Sequence, residues 1–272
     1  MKKIKIGLAL GSGGPRGFAH IGVLQALEES GIKIDMISGS SIGSVVAAHY
    51  SLHGSIKDLG QGMLAQAEIN FFKLFNLKIN KGLVNQKKIA EALSKIIGSA
   101  QFKDTKIPLY VNATNLDNGK NKIFHSGSIL NAVQASCSMP FIFEPFKYNS
   151  QLFTDGAISD PVPVDILRKS GADFIIAVNL YNSHEFKKQE LNAVSTLVKS
   201  WGILINNLAT EKSKSADYVI NINLSKQVKA PGLKYLFSKA DYLEAIELGH
   251  KETKKAIKII KKVTNKNNAK QK

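Results

Sequence analysis

Serine chemistry is the first thing this chain offers. Gly39-Ser40-Ser41-Ile42-Gly43 reads G-x-S-x-G and lies between a short apolar run and a helical pattern. A serine at such a strand-to-helix turn forms a nucleophile elbow. The flanking glycines admit close backbone neighbours, and the Ser41 hydroxyl stands at the tip, set for covalent attack on a carbonyl. That attack needs two further parts: a base for the hydroxyl proton and donors for the oxyanion.

Gly11-Ser12-Gly13-Gly14-Pro15-Arg16-Gly17 offers the donors. One use of such a loop is to cradle a phosphate at a helix N-terminus, as in dinucleotide folds. The match is poor, because the third glycine falls at 17 and no acid follows the second strand. Asp35 lies at that strand's start, out of reach of a ribose. The preferred use is an oxyanion hole built from the N–H groups at 13–16, facing Ser41 from the adjacent loop. Arg16 and Arg168 are the chain's only arginines among 37 basic residues. A planar, multidentate donor inside the glycine loop suits loop carbonyls or an anionic head group.

The base is less legible. A Ser-Asp-His triad in the α/β-hydrolase order needs a histidine after the acid, and only His184 and His250 follow Asp155. The alternative is a dyad in which Asp155 contacts Ser41 directly. A free aspartate, pKa ~3.9, is a weak base, so burial would have to raise its proton affinity. From the residues alone, Asp155 is not preferred over Asp160 or Asp165.

The elements that must position these groups read as alternating strands and helices. Ile4–Leu10 is a strand, the glycine loop opens a helix ending at Ser30-Gly31, and Ile32–Ile37 is a second strand running into the elbow. This opening implies a parallel sheet covered on both faces. Further along, helices are predicted at Lys87–Ile97, Ile129–Ser136, Pro161–Arg168, Asn192–Lys212 and Asp241–Val263. Strands are predicted at Ile107–Thr114, Lys122–His125, Phe141–Phe146, Gln151–Thr154, Ala172–Leu180 and Tyr218–Ile222. The aromatic- and lysine-rich Ile69–Lys78 reads as a packing connection or a flap beside an apolar substrate. Phe71–Leu77 and Leu233–Phe237 are candidates for the rim of such an apolar site.

The 272 residues are 44% hydrophobic and 21% charged, the proportions of a globular protein. One cysteine, Cys137, excludes an intramolecular disulfide and suits a reducing compartment. Six scattered histidines with no paired spacing such as H-E-x-x-H offer no zinc site. No stretch reaches the roughly 18 apolar residues of a membrane span, which points to a cytoplasmic protein, peripheral at most. Of the net charge of +16, half sits in residues 251–272, where nine lysines face one glutamate. Such an end is a solvated, frayed tail or a contact for an anionic membrane. Aromatics do not interleave with its lysines, which disfavours nucleic acid.

The stations Gly13–Gly17, Gly39–Gly43 and Asp155-Gly156-Ala157, in this order, resemble those of the patatin-like phospholipase family. Ala135–Pro145 is similar to the family's stretch ahead of its catalytic aspartate, and Asp160–Pro163 to the segment just past it. The resemblance runs from about Ile4 to Leu180. It implies a three-layer α/β/α fold with a mainly parallel central sheet, one acyl hydrolase domain over 1–265 and a basic tail over 266–272. It further implies a Ser–Asp dyad that hydrolyses lipid acyl esters without cofactor, metal or histidine. Carried over by position, Ser41 is the nucleophile, Asp155 the base, and Gly13, Gly14 and Arg16 form the oxyanion hole. Gly11, Gly17, Gly39, Gly43, Gly156 and Ala157 support the motifs. Ser12 stands where many members have glycine, and Pro15 lacks an N–H, so the amides completing the hole are open. Transfer of the acyl group to an alcohol and nucleotide-phosphate binding remain as alternatives.

Overall fold

Strands with no polar face must be covered on both sides, and the first strand sets the pattern. In the computed structural model, which describes residues 4–57, 59, 85–181, 192–224 and 242–269, β1 (Ile6–Leu10) is buried throughout. Its side chains alternate. Ile6, Leu8 and Leu10 join the larger core with helices α1 (Ala19–Glu29), α2 (Ile42–His53), α3 (Gln86–Ile97), α4 (Ile129–Ser136) and α7 (Tyr242–Ala269). Ala9 joins the smaller core on the other face with α5 (Asp165–Lys169) and α6 (Ala193–Ser213). The result is a three-layer α/β/α arrangement. It follows from the period-two alternation of a strand buried on both faces.

Among the described residues the sheet has eight strands. Beyond β1 these are β2 (Met36–Ser40), β3 (Leu109–Asn115), β4 (Asn121–Phe124), β5 (Phe146–Tyr148), β6 (Gln151–Thr154), β7 (Phe174–Asn179) and β8 (Tyr218–Asn221). Pairing runs β5-β6-β3-β2-β1-β7-β8, with β4 also on β3. The β3-β2-β1-β7-β8 portion is parallel, while β4, β5 and β6 pair antiparallel.

Most expected elements are present, with instructive shifts. The second strand starts at Met36 rather than Ile32, because the Ile32 N–H bonds back to the Leu27 carbonyl and closes α1. Phe141–Phe146 is not a strand. The Ile142 and Phe143 N–H groups both donate to the Met139 carbonyl, and Phe141 takes φ 69°, which closes a turn; β5 starts only at Phe146. The helix expected over Pro161–Arg168 is confined to Asp165–Lys169. Pro163 pushes Val162 toward extended backbone, and residues 161–164 become a strap whose carbonyls at Pro161 and Pro163 accept from Ser12 N and Ser38 Oγ. The last helix continues past Val263 to Ala269, into the stretch expected to fray. The candidate rim segments Phe71–Leu77 and Leu233–Phe237 lie outside the described residues.

α1 and α7 cross at backbone distance. A Cβ on Gly22 would land on the Ile246 carbonyl oxygen, and one on Gly249 on the Ala19 carbonyl oxygen. In urea denaturation, Gly22→Ala and Gly249→Ala should each lose roughly 1–3 kcal/mol, the usual result of forcing atoms into a packed contact. Gly202→Ala on α6, where nothing lies within 4 Å of the new Cβ, should instead gain about 0.8–1 kcal/mol. Equal losses at all three would refute the close crossing.

Candidate functional site

The register of β3 brings the two ends of the motif set together. Asn112 pairs with Ser40 of β2 and, on its other edge, with Ile123 of β4. Thr114 pairs with Asn121 of β4 and with Thr154 of β6. β4 occupies one edge, so β2 and β6 share the other, pointing toward each other. Ser41 and Asp155 are the first residues beyond those two strand ends. Ser41 Oγ donates to Asp155 Oδ2 at 2.6 Å.

The elbow is a strained turn held by packing. Ser41 has φ 51° and ψ −125°, a conformation costing on the order of 1–3 kcal/mol for a side-chain-bearing residue. The Ser41 carbonyl accepts from Ser44 N (2.8 Å) and Ser44 Oγ (2.6 Å), and its N–H donates to Ser136 Oγ (2.8 Å). The two elbow glycines are required by close approach. A Cβ on Gly39 would sit 2.5 Å from the Gly43 carbonyl oxygen, and one on Gly43 would strike that of Leu10. Helix α2 starts immediately after Ser41, so its positive dipole end faces the hydroxyl.

Asp155 is buried, 3% exposed. Desolvation pushes its carboxyl up to about 6, against opposing hydrogen bonds from Ser41 and the Ala157 N–H. Its backbone is fixed by three hydrogen bonds. Asp155 N donates to Ser138 O, and Thr114 Oγ1 and Ile158 N donate to Asp155 O, while Thr154 Oγ1 holds the same Ser138 carbonyl. Gly156 lies against β3, where a Cβ would come within 2.6 Å of the Asn112 carbonyl oxygen. Asn112 Nδ2 bonds the Gly156 and Asp160 carbonyls. Gln86 at the start of α3 reaches Ser138 Oγ (2.9 Å) and the Glu144 carbonyl, and is itself held by Gln134.

The glycine loop is a short 3-10 turn over Gly14–Phe18. Gly14 has φ +54° with open space around a Cβ, so there the backbone conformation alone selects glycine. Gly11 and Gly17 are instead pinned by contact, with Val178 O and with Ile42. Arg16 turns inward. Its N–H and its Nε both reach Gly13 O, at 3.3 and 3.2 Å. Nη1 reaches Leu180 O, and the guanidinium lies 4.4 Å from the Tyr181 ring centroid. The amides of Gly13, Gly14 and Ile42 have no acceptor among the described residues. Beneath the loop, buried His20 bonds Gly11 O through Nε2 at 2.7 Å. Burial lowers its pKa to about 4, so it holds the loop as a neutral donor.

His250, the triad candidate, pairs with Glu29 Oε2 at 3.0 Å at the far end of α1, and His184 lies outside the described residues. Neither Ser41 nor Asp155 bonds a histidine among the described residues. Asp35 accepts from the Ile6 N–H at the opposite sheet edge, far from any phosphate on the glycine loop. Sequence reasoning passed over Ser44, Gln86, Asn112 and Thr114. Asn112 and Thr114 left a signal, polar residues two apart inside a buried strand, which implies polar partners on one face.

A family model described as "Patatin-like phospholipase" matches residues 8–168, more than half of the chain and all three motif stations. Uncharacterized NTE family proteins of Mycobacterium bovis and Mycobacterium tuberculosis are 36% identical over 180 residues, 66% of this chain and 50% of theirs. The chain thus spans about half the length of these relatives. A protein named lysophospholipase NTE1 in Debaryomyces hansenii is 31% identical over 248 residues, 85% of this chain and 16% of that protein. Among solved structures, VipD from Legionella pneumophila matches with a TM-score of 0.58 at 14% identity, over 94% of this chain and 67% of that one. That is a likeness of fold.

The Asp155 turn has a second buried acid behind it. Asp160 is 4% exposed and raised to about 7, chiefly by desolvation, with Lys212 and the Val162 N–H opposing and Asp165 adding to the shift. A carboxyl whose folded pKa exceeds its unfolded value near ~3.9 favours folding while protonated, and that stability is lost as pH rises through the folded pKa. Asp160→Asn should therefore melt at a higher temperature than the wild type at pH 8 and lose that advantage at pH 4. Thermal unfolding at the two pH values measures it, and a pH-independent difference would contradict the assignment.

Proposed function

This chain belongs to the patatin-like phospholipase family, and from that premise we propose that it hydrolyses carboxylic esters of lipids through Ser41 and Asp155. The observation that carries the reading is the 2.6 Å hydrogen bond from Ser41 Oγ to Asp155 Oδ2. A carboxylate near pKa 6 is a far better proton acceptor than a free aspartate, yet is mostly ionised at neutral pH. Asp155 takes the Ser41 proton as Oγ attacks the ester carbonyl. The Gly13 and Gly14 amides, joined by Ile42 at the start of α2, receive the developing oxyanion. Arg16 then acts on the loop, clamping Gly13 to the end of β7, rather than on the oxyanion itself. Asp155 returns the proton to the departing alcohol and next deprotonates the water that releases the acyl group from Ser41. Because one relative bears the name lysophospholipase, phospholipids and lysophospholipids come first among substrates to assay.

A fluorophosphonate probe should label the wild type and leave Ser41→Ala unlabelled. Asp155→Asn should lower turnover of a soluble ester by about 10²–10⁴, the usual contribution of a positioned general base. Persistent labelling of Ser41→Ala would refute the nucleophile, and wild-type turnover in Asp155→Asn would refute the base. Because the base must be ionised, kcat/KM should climb about tenfold per pH unit below the Asp155 pKa and level off above it. His250→Ala should follow the same profile. Products are read with and without an added alcohol: acylated alcohol in excess of free acid would replace hydrolysis by acyl transfer.

A further inference from the structure

The catalytic edge carries an apolar surface that the ester chemistry does not use. Crossover helices leave the carboxyl edge of a parallel sheet, so the N-terminal half of α6 lies at the edge where Ser41 sits. Leu197 on that half and Leu204 just past the helix midpoint are 50% and 64% exposed. They flank half-buried Trp201 at i−4 and i+3, on one helix face. Phe141 meets Trp201 edge-to-face, with centroids 6.1 Å apart, and is 47% exposed. Phe141 sits in the turn just after Ser138, whose carbonyl holds Asp155. Its φ of 69° is unusual for an aromatic residue, so the turn presents this ring outward against a local preference.

Charge at the same edge is positive. Lys87 and Lys88 are exposed in the first turn of α3, next to Gln86, which bonds Ser138. Lysines at a helix N-terminus oppose the macrodipole, so they are not there for helix stability. The nearby Glu144 carboxylate is bonded by Asn85. The lysine-rich end of α7, by contrast, points away. α7 runs parallel to α1, with Tyr242 against Phe18 and Lys254 pairing Glu29, so residues 251–269 project from the opposite edge.

We propose that Phe141, Leu197, Trp201 and Leu204 form a docking surface for an anionic phospholipid bilayer, with Lys87 and Lys88 meeting its phosphates, so that Ser41 faces the interface. This rests on the lipid-ester reading above and names the physical state of the substrate. An indole half-buried beside aliphatic and aromatic neighbours suits the boundary between acyl chains and head groups. Residues 1–250 carry a net +8 of the chain's +16, and this share adds a long-range attraction to the contact made by Lys87 and Lys88.

Trp201 is the chain's single tryptophan, so its emission reports on this surface alone. Full-length protein is titrated with vesicles of phosphatidylcholine alone or mixed with phosphatidylglycerol, and sedimentation is read in parallel. Emission should shift to shorter wavelength with the mixed vesicles and much less with the neutral ones, and salt should weaken the effect. Leu197→Glu and Leu204→Glu, both exposed and outside the catalytic machinery, should each reduce partitioning at least about tenfold, the loss expected when a leucine no longer enters the apolar phase. Hydrolysis of vesicle lipid should fall in parallel while turnover of a soluble short-chain ester stays at the wild-type rate. Ser41→Ala should bind vesicles normally, which separates failure of the surface from failure of the hydrolase reading. Unshifted emission in the wild type, or wild-type partitioning of both leucine variants, overturns the proposal. So does a self-associated form, seen by ultracentrifugation, that the leucine variants abolish while vesicles go unbound; the surface would then join two copies of this chain.

Discussion

Two strands running toward each other along one edge of β3 are the constraint on which this site depends. β2 arrives parallel to β3 and ends at Ser40, opposite Asn112, while β6 arrives antiparallel and ends at Thr154, opposite Thr114. The residue after each strand has nowhere to go but toward the other. Hydrogen-bond register is discrete, so this placement is set in whole residues rather than adjusted by soft loops. The end of α4 then ties the halves together, with Ser136 Oγ on the Ser41 N–H and the Ser138 carbonyl on the Asp155 N–H. Moving either strand by one residue would separate hydroxyl from carboxylate.

The same confinement makes the carboxylate useful. An aspartate at a sheet edge open to water keeps a low proton affinity. Enclosed beside the elbow, Asp155 loses solvation, and the two hydrogen bonds it accepts return only part of that stabilisation. The balance leaves its pKa raised to about 6. Asn112 and Thr114 reach the turn from β3 by hydrogen bonds to backbone carbonyls rather than to the carboxylate, fixing geometry without lowering the pKa further. Behind the turn Asp160 experiences the same desolvation with no serine to serve. Its Oδ1 and the Asn112 Oδ1 both lack partners among the described residues, a local cost that this region carries.

The glycine loop faces the elbow from the neighbouring strand and is rigid for a different reason. Arg16 draws Gly13 toward the end of β7, and neutral His20 holds Gly11 from below. With Pro15 supplying no donor and the Arg16 amide turned onto Gly13, the outward N–H groups are reduced to a few at the loop's start. The apolar surface of Phe141 and α6 lies on this same sheet edge. Ser41, the free loop amides and this apolar surface thus share one orientation because every crossover helix leaves a parallel sheet from its carboxyl edge.

What the sequence determined by itself was local. Alternation of apolar runs with helical periods gave the parallel α/β architecture, and G-x-S-x-G between a strand and a helix marked Ser41, because an elbow's chemistry is written in adjacent residues. Its periodicity missed where prolines and reversed hydrogen bonds intervene, as at Pro161–Val164 and Phe141–Pro145, since hydropathy records burial and not backbone direction. The choice of Asp155 over Asp160 or Asp165 came through resemblance, not through its neighbours. Only the tertiary structure decided the rest. It set Asp155 at hydrogen-bonding distance from a serine 114 positions earlier, turned Arg16 inward and placed His250 on the far edge of the sheet. It also carried the basic helix end away from the site. Each of these is a matter of strand register and desolvation, which arise between elements distant in the chain.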